Sequence, residues 1–153
     1  MPDWMSFAPF LLAVIAVCAS GVFFMPGPWY KTLSKPSWTP PDWLFGPAWT
    51  VLYMMIAAAG YLAWRAEGFG PALVFWSLNL VFNALWSWLM FGRHQIGAAL
   101  ADAVAMLVTI IGFIATAWPS SPMAAALFVP YLAWVAFATA LNWALLARNP
   151  RTA

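Results

Sequence analysis

Five apolar stretches, each about twenty residues long, constrain this chain more than any other feature; they occupy roughly residues 5–25, 45–64, 71–91, 96–118 and 123–147. About 20 residues at 1.5 Å per residue match the ~30 Å hydrocarbon layer of a bilayer. Lipid offers no partner to an open backbone N–H or C=O, so each stretch is expected to cross as an α-helix. With 65% hydrophobic and 7% charged residues in 153 positions, too little polar surface remains to cover a water-soluble globule. The expected fold is therefore an all-α membrane protein, a five-transmembrane-helix bundle forming a single integral membrane domain over residues 1–153. The breaks RAEGFGP at 65–71, GRHQ at 92–95 and WPSSP at 118–122 are short, which makes sequential helices antiparallel neighbours. Pro71 and Pro122 suit the first turn of a helix, whereas Pro130 lies inside the fifth span and is expected to kink it or meet a packed neighbour. The first run has Asp3 and no basic residue before it, unlike a secretory signal, and is read as a retained helix.

The connection between the first two spans, residues 26–44, is longer and differently built. Between Pro26 and Trp49 the chain has six prolines and four tryptophans (Trp29, Trp38, Trp43, Trp49), with Lys31, Lys35 and Asp42 as its charges. Proline lowers the entropy cost of ordering a chain and large rings need a surface to bury against, so this stretch reads as an ordered lid. Five spans put the termini on opposite sides. Arg65 lies on one side and Lys31, Lys35, Arg93, Arg148 and Arg151 on the other. The positive-inside rule then favours an inner membrane with the C-terminus and lid cytoplasmic; an outer-membrane destination stays open. A formal charge of +2 from so few ionic residues argues against a nucleic-acid partner. Cys18 is the single cysteine, so neither an intrachain disulfide nor a cysteine metal site can form.

Polar residues inside spans must find partners or line a cavity. Asn79, Asn83, Trp86 and Met90 recur at helical spacing on one face of the third span. Tyr131, Trp134, Ala138 and Asn142 do so on the fifth, and Trp49, Tyr53, Ala57 and Gly60 on the second. The asparagines suit interhelical hydrogen bonds, pocket lining or both, and small residues within the aromatic stripes leave room for a ligand or a neighbouring helix. Asp102, a carboxylate within the fourth span, is expected to be hydrated or to bond a neighbouring helix. Gly97, Ala101 and Ala105, and likewise Ala136, Ala140 and Ala144, permit close helix contact within or between chains. His94 is the one histidine and falls in a short basic loop, so no metal centre and no Ser/His/Asp set is expected, and no conventional enzyme. What remains is an aromatic cavity with a few amides under a basic-rimmed lid, suited to a large, flat hydrophobic ligand.

These residues resemble the translocator protein or tryptophan-rich sensory protein family, also called TspO/MBR or peripheral-type benzodiazepine receptors. The likeness covers roughly residues 26–148 and rests on WY at 29–30, KPSWTPP at 35–41, Trp43, Pro47, Trp49 and LY at 52–53. It continues through Asn79, Asn83, Trp86, FG at 91–92, AD at 101–102, PYLAW at 130–134, AFAT at 136–139 and LN at 141–142. The resemblance implies a homodimeric five-helix bundle that needs no cofactor and binds porphyrins such as protoporphyrin IX, isoquinoline- or benzodiazepine-type hydrophobic molecules and, in some members, sterols. By the same resemblance Tyr30 and Trp38 belong to the lid, and Trp49, Tyr53, Asn83, Trp86, Trp134 and Ala138 to the ligand-binding wall. Trp49 and Trp134 match tryptophans implicated in light-dependent porphyrin degradation. The family's sterol pattern is altered here, because Trp143 stands between Leu141 and Arg148 where a tyrosine is the rule. The leading expectation is a membrane receptor or sensor for tetrapyrroles. Light-dependent degradation and transport of a tetrapyrrole or sterol are the alternatives, the latter without the internal repeat common in transporters.

Overall fold

A computed structural model describes residues 3–150. Its helices are α1 (Asp3–Phe23), a short α2 (Pro28–Thr32), α3 (Asp42–Glu67), α4 (Pro71–Ser87) continued by a π turn (Trp88–Gly92), α5 (Ile96–Ala117) and α6 (Pro122–Arg148). Among the described residues five helices are long and apolar enough to cross a membrane: α1, α3, α4 with its π turn, α5 and α6. The chain is a multi-pass integral membrane protein.

Local chemistry explains where the helices start and stop. Pro71 and Pro122 occupy first turns, where a missing N–H costs nothing. Ser121 accepts from the Ala124 N–H at 3.4 Å to cap α6. Gly68, with φ of 69°, ends α3 in a conformation that side chains disfavour, and its N–H donates to the Trp64 carbonyl at 2.8 Å. α3 begins three residues earlier than the apolar run suggests, because Asp42 favours the positive end of the helix dipole. The connection from α1 is accordingly residues 24–41. α6 runs unbroken through Pro130, which is exposed on the outside of the bundle instead of lying under a packed neighbour.

The main contacts run α4 to α5, α5 to α6, α1 to α3 and α4, and α3 to α6. Lipid gives helices no hydrophobic reason to associate, so close packing and interhelical hydrogen bonds must do so. Two glycines show how close the helices come. The Trp76 ring lies against Gly60, where an added Cβ would collide with the indole, and Trp76 Nε1 donates to the Ile56 carbonyl at 2.8 Å. Gly112 on α5 receives the Phe75 ring of α4 in the same way. Ile56, Ala57, Ile110, Phe113, Phe128 and Tyr131 are fully buried at the centre, while Val51, Val81, Val108 and Ile111 face outward.

The two ends of the bundle differ. At one, Arg65 meets Asp3 at 3.1 Å. At the other, the Trp29 ring stacks on His94 with centroids 4.2 Å apart, and Asn149 receives a hydrogen bond from the Ser34 N–H and donates one back to its carbonyl, both 2.9 Å. The long connection, the 92–95 turn and the end of α6 thus share one end, the grouping on which the charge argument relied; Arg151 lies outside the described residues.

Candidate ligand-binding site

The polar stripes meet in one chain of hydrogen bonds. Tyr53 donates its hydroxyl to Asn83 Oδ1 at 3.1 Å, and Asn83 Nδ2 donates to the Tyr131 hydroxyl at 2.8 Å. Tyr131 in turn donates to Asn79 Oδ1 at 2.9 Å, and Asn79 Nδ2 to Thr109 Oγ1 at 3.0 Å. Thr109 closes the series on the Met106 carbonyl at 2.8 Å. Each link points the same way, and together they tie α3, α4, α5 and α6. Asn79, Asn83, Thr109 and Tyr131 are buried, so these bonds replace the partners that lipid withholds. A second, smaller set joins α4, α6 and α5: Trp86 Nε1 donates to Asn142 Oδ1, and Asn142 Nδ2 to the Ile96 carbonyl, each at 3.0 Å.

An aromatic cluster stands beside the first chain. The Trp49 ring lies 5.3 Å from Tyr53, 6.3 Å from Tyr131 and 6.4 Å from Trp134, the last two edge to face. Phe45 and Phe137 pack on Trp134 at 5.8 and 6.0 Å. From the long connection Trp38 reaches Phe137 at 5.7 Å, edge to face. Ala138 is half-buried one turn beyond Trp134. Outside Trp134 an open apolar groove of about 470 Å³ runs between Pro40 and Leu44 on one side and Pro130, Ala133 and Phe137 on the other.

Tyr30 and Trp86 belong to a different neighbourhood. Both pack edge to face on Phe91, at 5.6 and 5.5 Å. They join a second core cluster with Leu33, Met90, Ile96 and Leu145. Burial, and secondarily the charge of Asp42, raises the Tyr30 phenol above its ordinary pKa, and the Lys35 ammonium sits 4.5 Å from its ring centre. The eight residues singled out from sequence therefore divide: Trp49, Tyr53, Asn83 and Trp134 come together, Ala138 follows Trp134 one turn on, Trp38 touches their edge, and Tyr30 and Trp86 lie in the second cluster around Phe91. Phe45 and Phe137 were missed, although each falls at helical spacing from a chosen tryptophan, four before Trp49 and three after Trp134.

Two buried polar groups have no hydrogen-bond partner among the described protein atoms. Asp102, 6% exposed, has no protein hydrogen-bond partner at either carboxylate oxygen, so of the two expected environments the bond to a neighbouring helix is not made. Trp134 Nε1 is also buried and has no protein acceptor. Among the described residues no group of three or more His, Cys, Asp or Glu side chains is placed to hold a metal ion.

A sequence model of the TspO/MBR family matches residues 7–148. The chain is 42% identical over 147 residues to the tryptophan-rich protein TspO of Archaeoglobus fulgidus, covering 91% of this chain and 94% of that one. It is 37% identical over 147 residues to the tryptophan-rich sensory protein of Cereibacter sphaeroides, covering 96% and 93%. It is 36% identical over 156 residues to the translocator protein of Homo sapiens, covering 97% and 92%.

Proposed function

The chain belongs to the TspO/MBR family, and from that membership we propose that it is a membrane sensor or receptor binding tetrapyrroles, protoporphyrin IX among them, and isoquinoline- or benzodiazepine-type hydrophobic molecules. The observation that carries this reading is the Trp49 ring packed against Tyr53, Tyr131 and Trp134 at the edge of a ladder of buried amides. Broad π faces with few fixed polar groups suit a flat macrocycle. Lys31 is exposed and Lys35 half-buried on the connection above, where they attract the carboxylates of a porphyrin. The connection serves as the lid, held by the Trp29–His94 stack at one point and by Asn149 at another. The basic end of the bundle faces the cytoplasm of an inner membrane. Ala101, Ala136 and Ala140 are exposed on α5 and α6, which supports assembly as a homodimer.

A second reading, light-dependent porphyrin degradation, is favoured by the direct contact of Trp49 with Trp134, since two adjoining indoles beside a photoexcited pigment supply oxidisable rings. Titration of protoporphyrin IX into the detergent-purified chain, followed by tryptophan quenching, tests the receptor reading. Saturable quenching is expected, and its absence would overturn it. Illumination of the loaded protein then tests the second reading: pigment loss beyond that in free solution, abolished in the Trp49→Phe/Trp134→Phe double variant, is the expected result.

A further inference from the structure

One corner of the basic end joins a fixed charge to an apolar path into the bilayer. The π turn that ends α4 closes with the Arg93 N–H donating to the Trp88 carbonyl at 2.8 Å, a bond reaching one residue further back than in an α-helix. That wider turn brings Arg93 back over Trp88, and its guanidinium stands 5.7 Å from the centre of the indole. Trp88 is exposed near the end of its span, at the level of the lipid headgroups, where indoles are favoured. Arg93 is exposed and forms no ion pair among the described residues. From this charge the aromatic rings lead inward. Phe24 and Trp88 meet at Gly92, where an added Cβ would lie 2.9 Å from the first ring and 3.1 Å from the second. Phe24 packs edge to face on Phe23 with centroids 4.9 Å apart. Phe23 tops an open apolar groove of about 640 Å³ on α1, continued by Val22, Ala19, Cys18 and Ile15. These residues recur at helical spacing on the side away from buried Val14 and Val17, and they cover about 12 Å of the helix axis.

We infer that this corner binds an anionic phospholipid, with an acyl chain along the α1 groove, the glycerol region beside Phe23, Phe24 and Trp88, and the phosphate on the Arg93 guanidinium. A phosphate suits the fork of donors that a guanidinium presents. Because Arg93 has no acid beside it, its charge favours an anionic headgroup and repels the ammonium of a zwitterionic one. The groove supplies the chain contacts that a free phosphate could not use. Trp49 and Trp134 take no part, so the site stands apart from the tetrapyrrole reading.

The test places the full chain in phosphatidylcholine nanodiscs with trace phosphatidylglycerol or phosphatidylcholine, each spin-labelled on its acyl chain, and reads the fraction of probe immobilised on the protein. Wild type is expected to hold phosphatidylglycerol about fivefold over phosphatidylcholine, the scale of one basic residue at an anionic headgroup. In Arg93→Gln that ratio should fall toward one at unchanged helicity. Arg148→Gln removes the same charge from the end of α6, outside the aromatic path, and should leave the ratio within about twofold of wild type. Ala19→Trp, at an exposed position in the groove, should lower the immobilised fraction of phosphatidylglycerol. Absence of a wild-type preference, equal losses in the two arginine variants, or undiminished immobilisation in Ala19→Trp would each overturn the inference. Displacement of the probe by inorganic phosphate at constant ionic strength would assign Arg93 to a free anion instead. Dissociation of a dimer by Ala19→Trp in detergent would assign the groove to a second copy of the chain. Protoporphyrin binding without a lipid preference would sink the lipid site alone, and a lipid preference without protoporphyrin binding would sink the tetrapyrrole reading alone.

Discussion

Tyr131→Phe separates the polar chain from the aromatic cluster more cleanly than any other substitution. The side chain is fully buried; its hydroxyl accepts from Asn83 at 2.8 Å and donates to Asn79 at 2.9 Å. Its ring, 6.3 Å from Trp49 and 5.3 Å from Phe128, keeps its place when the oxygen is removed. The loss leaves one amide donor and one amide acceptor unpaired between helices. A stranded buried group costs about 1–3 kcal/mol in soluble cores. Interhelical hydrogen bonds in membrane bundles average only about 0.6 kcal/mol, because separated helices find other partners. With two bonds lost at a centre closed to lipid, a cost of about 1–3 kcal/mol is expected. Tyr53→Phe provides the internal comparison: it removes a single bond of 3.1 Å from a half-buried phenol and should cost below about 1 kcal/mol. Reversible unfolding in mixed micelles of rising denaturing-detergent fraction, followed by far-ultraviolet circular dichroism, measures both. If Tyr131→Phe is no more destabilising than Tyr53→Phe, the buried chain does not hold the helices together. Because the ring contacts persist, protoporphyrin affinity should stay within about twofold of wild type, and a much larger loss would assign the hydroxyl to the ligand.

Gly60→Ala should destabilise by about 1–3 kcal/mol in the same assay, since the new methyl meets the Trp76 indole, which is tethered to the Ile56 carbonyl. Adding Trp76→Phe should recover part of that loss, and strictly additive costs would show that the collision is not its source. Trp38→Ala removes the contact with Phe137 from an exposed position and should raise the protoporphyrin off-rate roughly two- to tenfold at unchanged helicity; equal losses of helicity and binding would make the connection a fold element instead of a lid. Asp102→Leu replaces an unpaired buried carboxyl with an apolar group of similar shape and should leave stability equal or raise it by about 1–3 kcal/mol. A clear drop in the unfolding midpoint would reveal a partner for Asp102.

Much of the architecture is legible in the residues because a bilayer removes alternatives. A run of about twenty apolar residues in lipid has to close its own backbone hydrogen bonds, so helix number, connection lengths and the grouping of ends follow from sequence order. Helical spacing likewise identified the faces on which Asn79, Asn83, Tyr131 and Trp134 lie, since 3.6 residues per turn fixes direction around one helix axis. Spacing says nothing about which neighbour that face meets. Trp86 shares a stripe with Asn83, yet it bonds Asn142 and packs on Phe91, away from the Trp49 cluster.

Sequence alone therefore determined a five-span bundle, a long proline-rich connection and the stripes whose Asn79, Asn83 and Tyr131 face inward. Tertiary packing decided the rest: the split of those stripes into two clusters, the one-way hydrogen-bond chain through four helices, and the burial of Asp102 and Trp134 Nε1 away from protein partners. The reason is that pairing depends on the rotation and depth of each helix against its neighbours, which are set jointly by close approaches such as Gly60 on Trp76 and Gly112 on Phe75 and by no single segment.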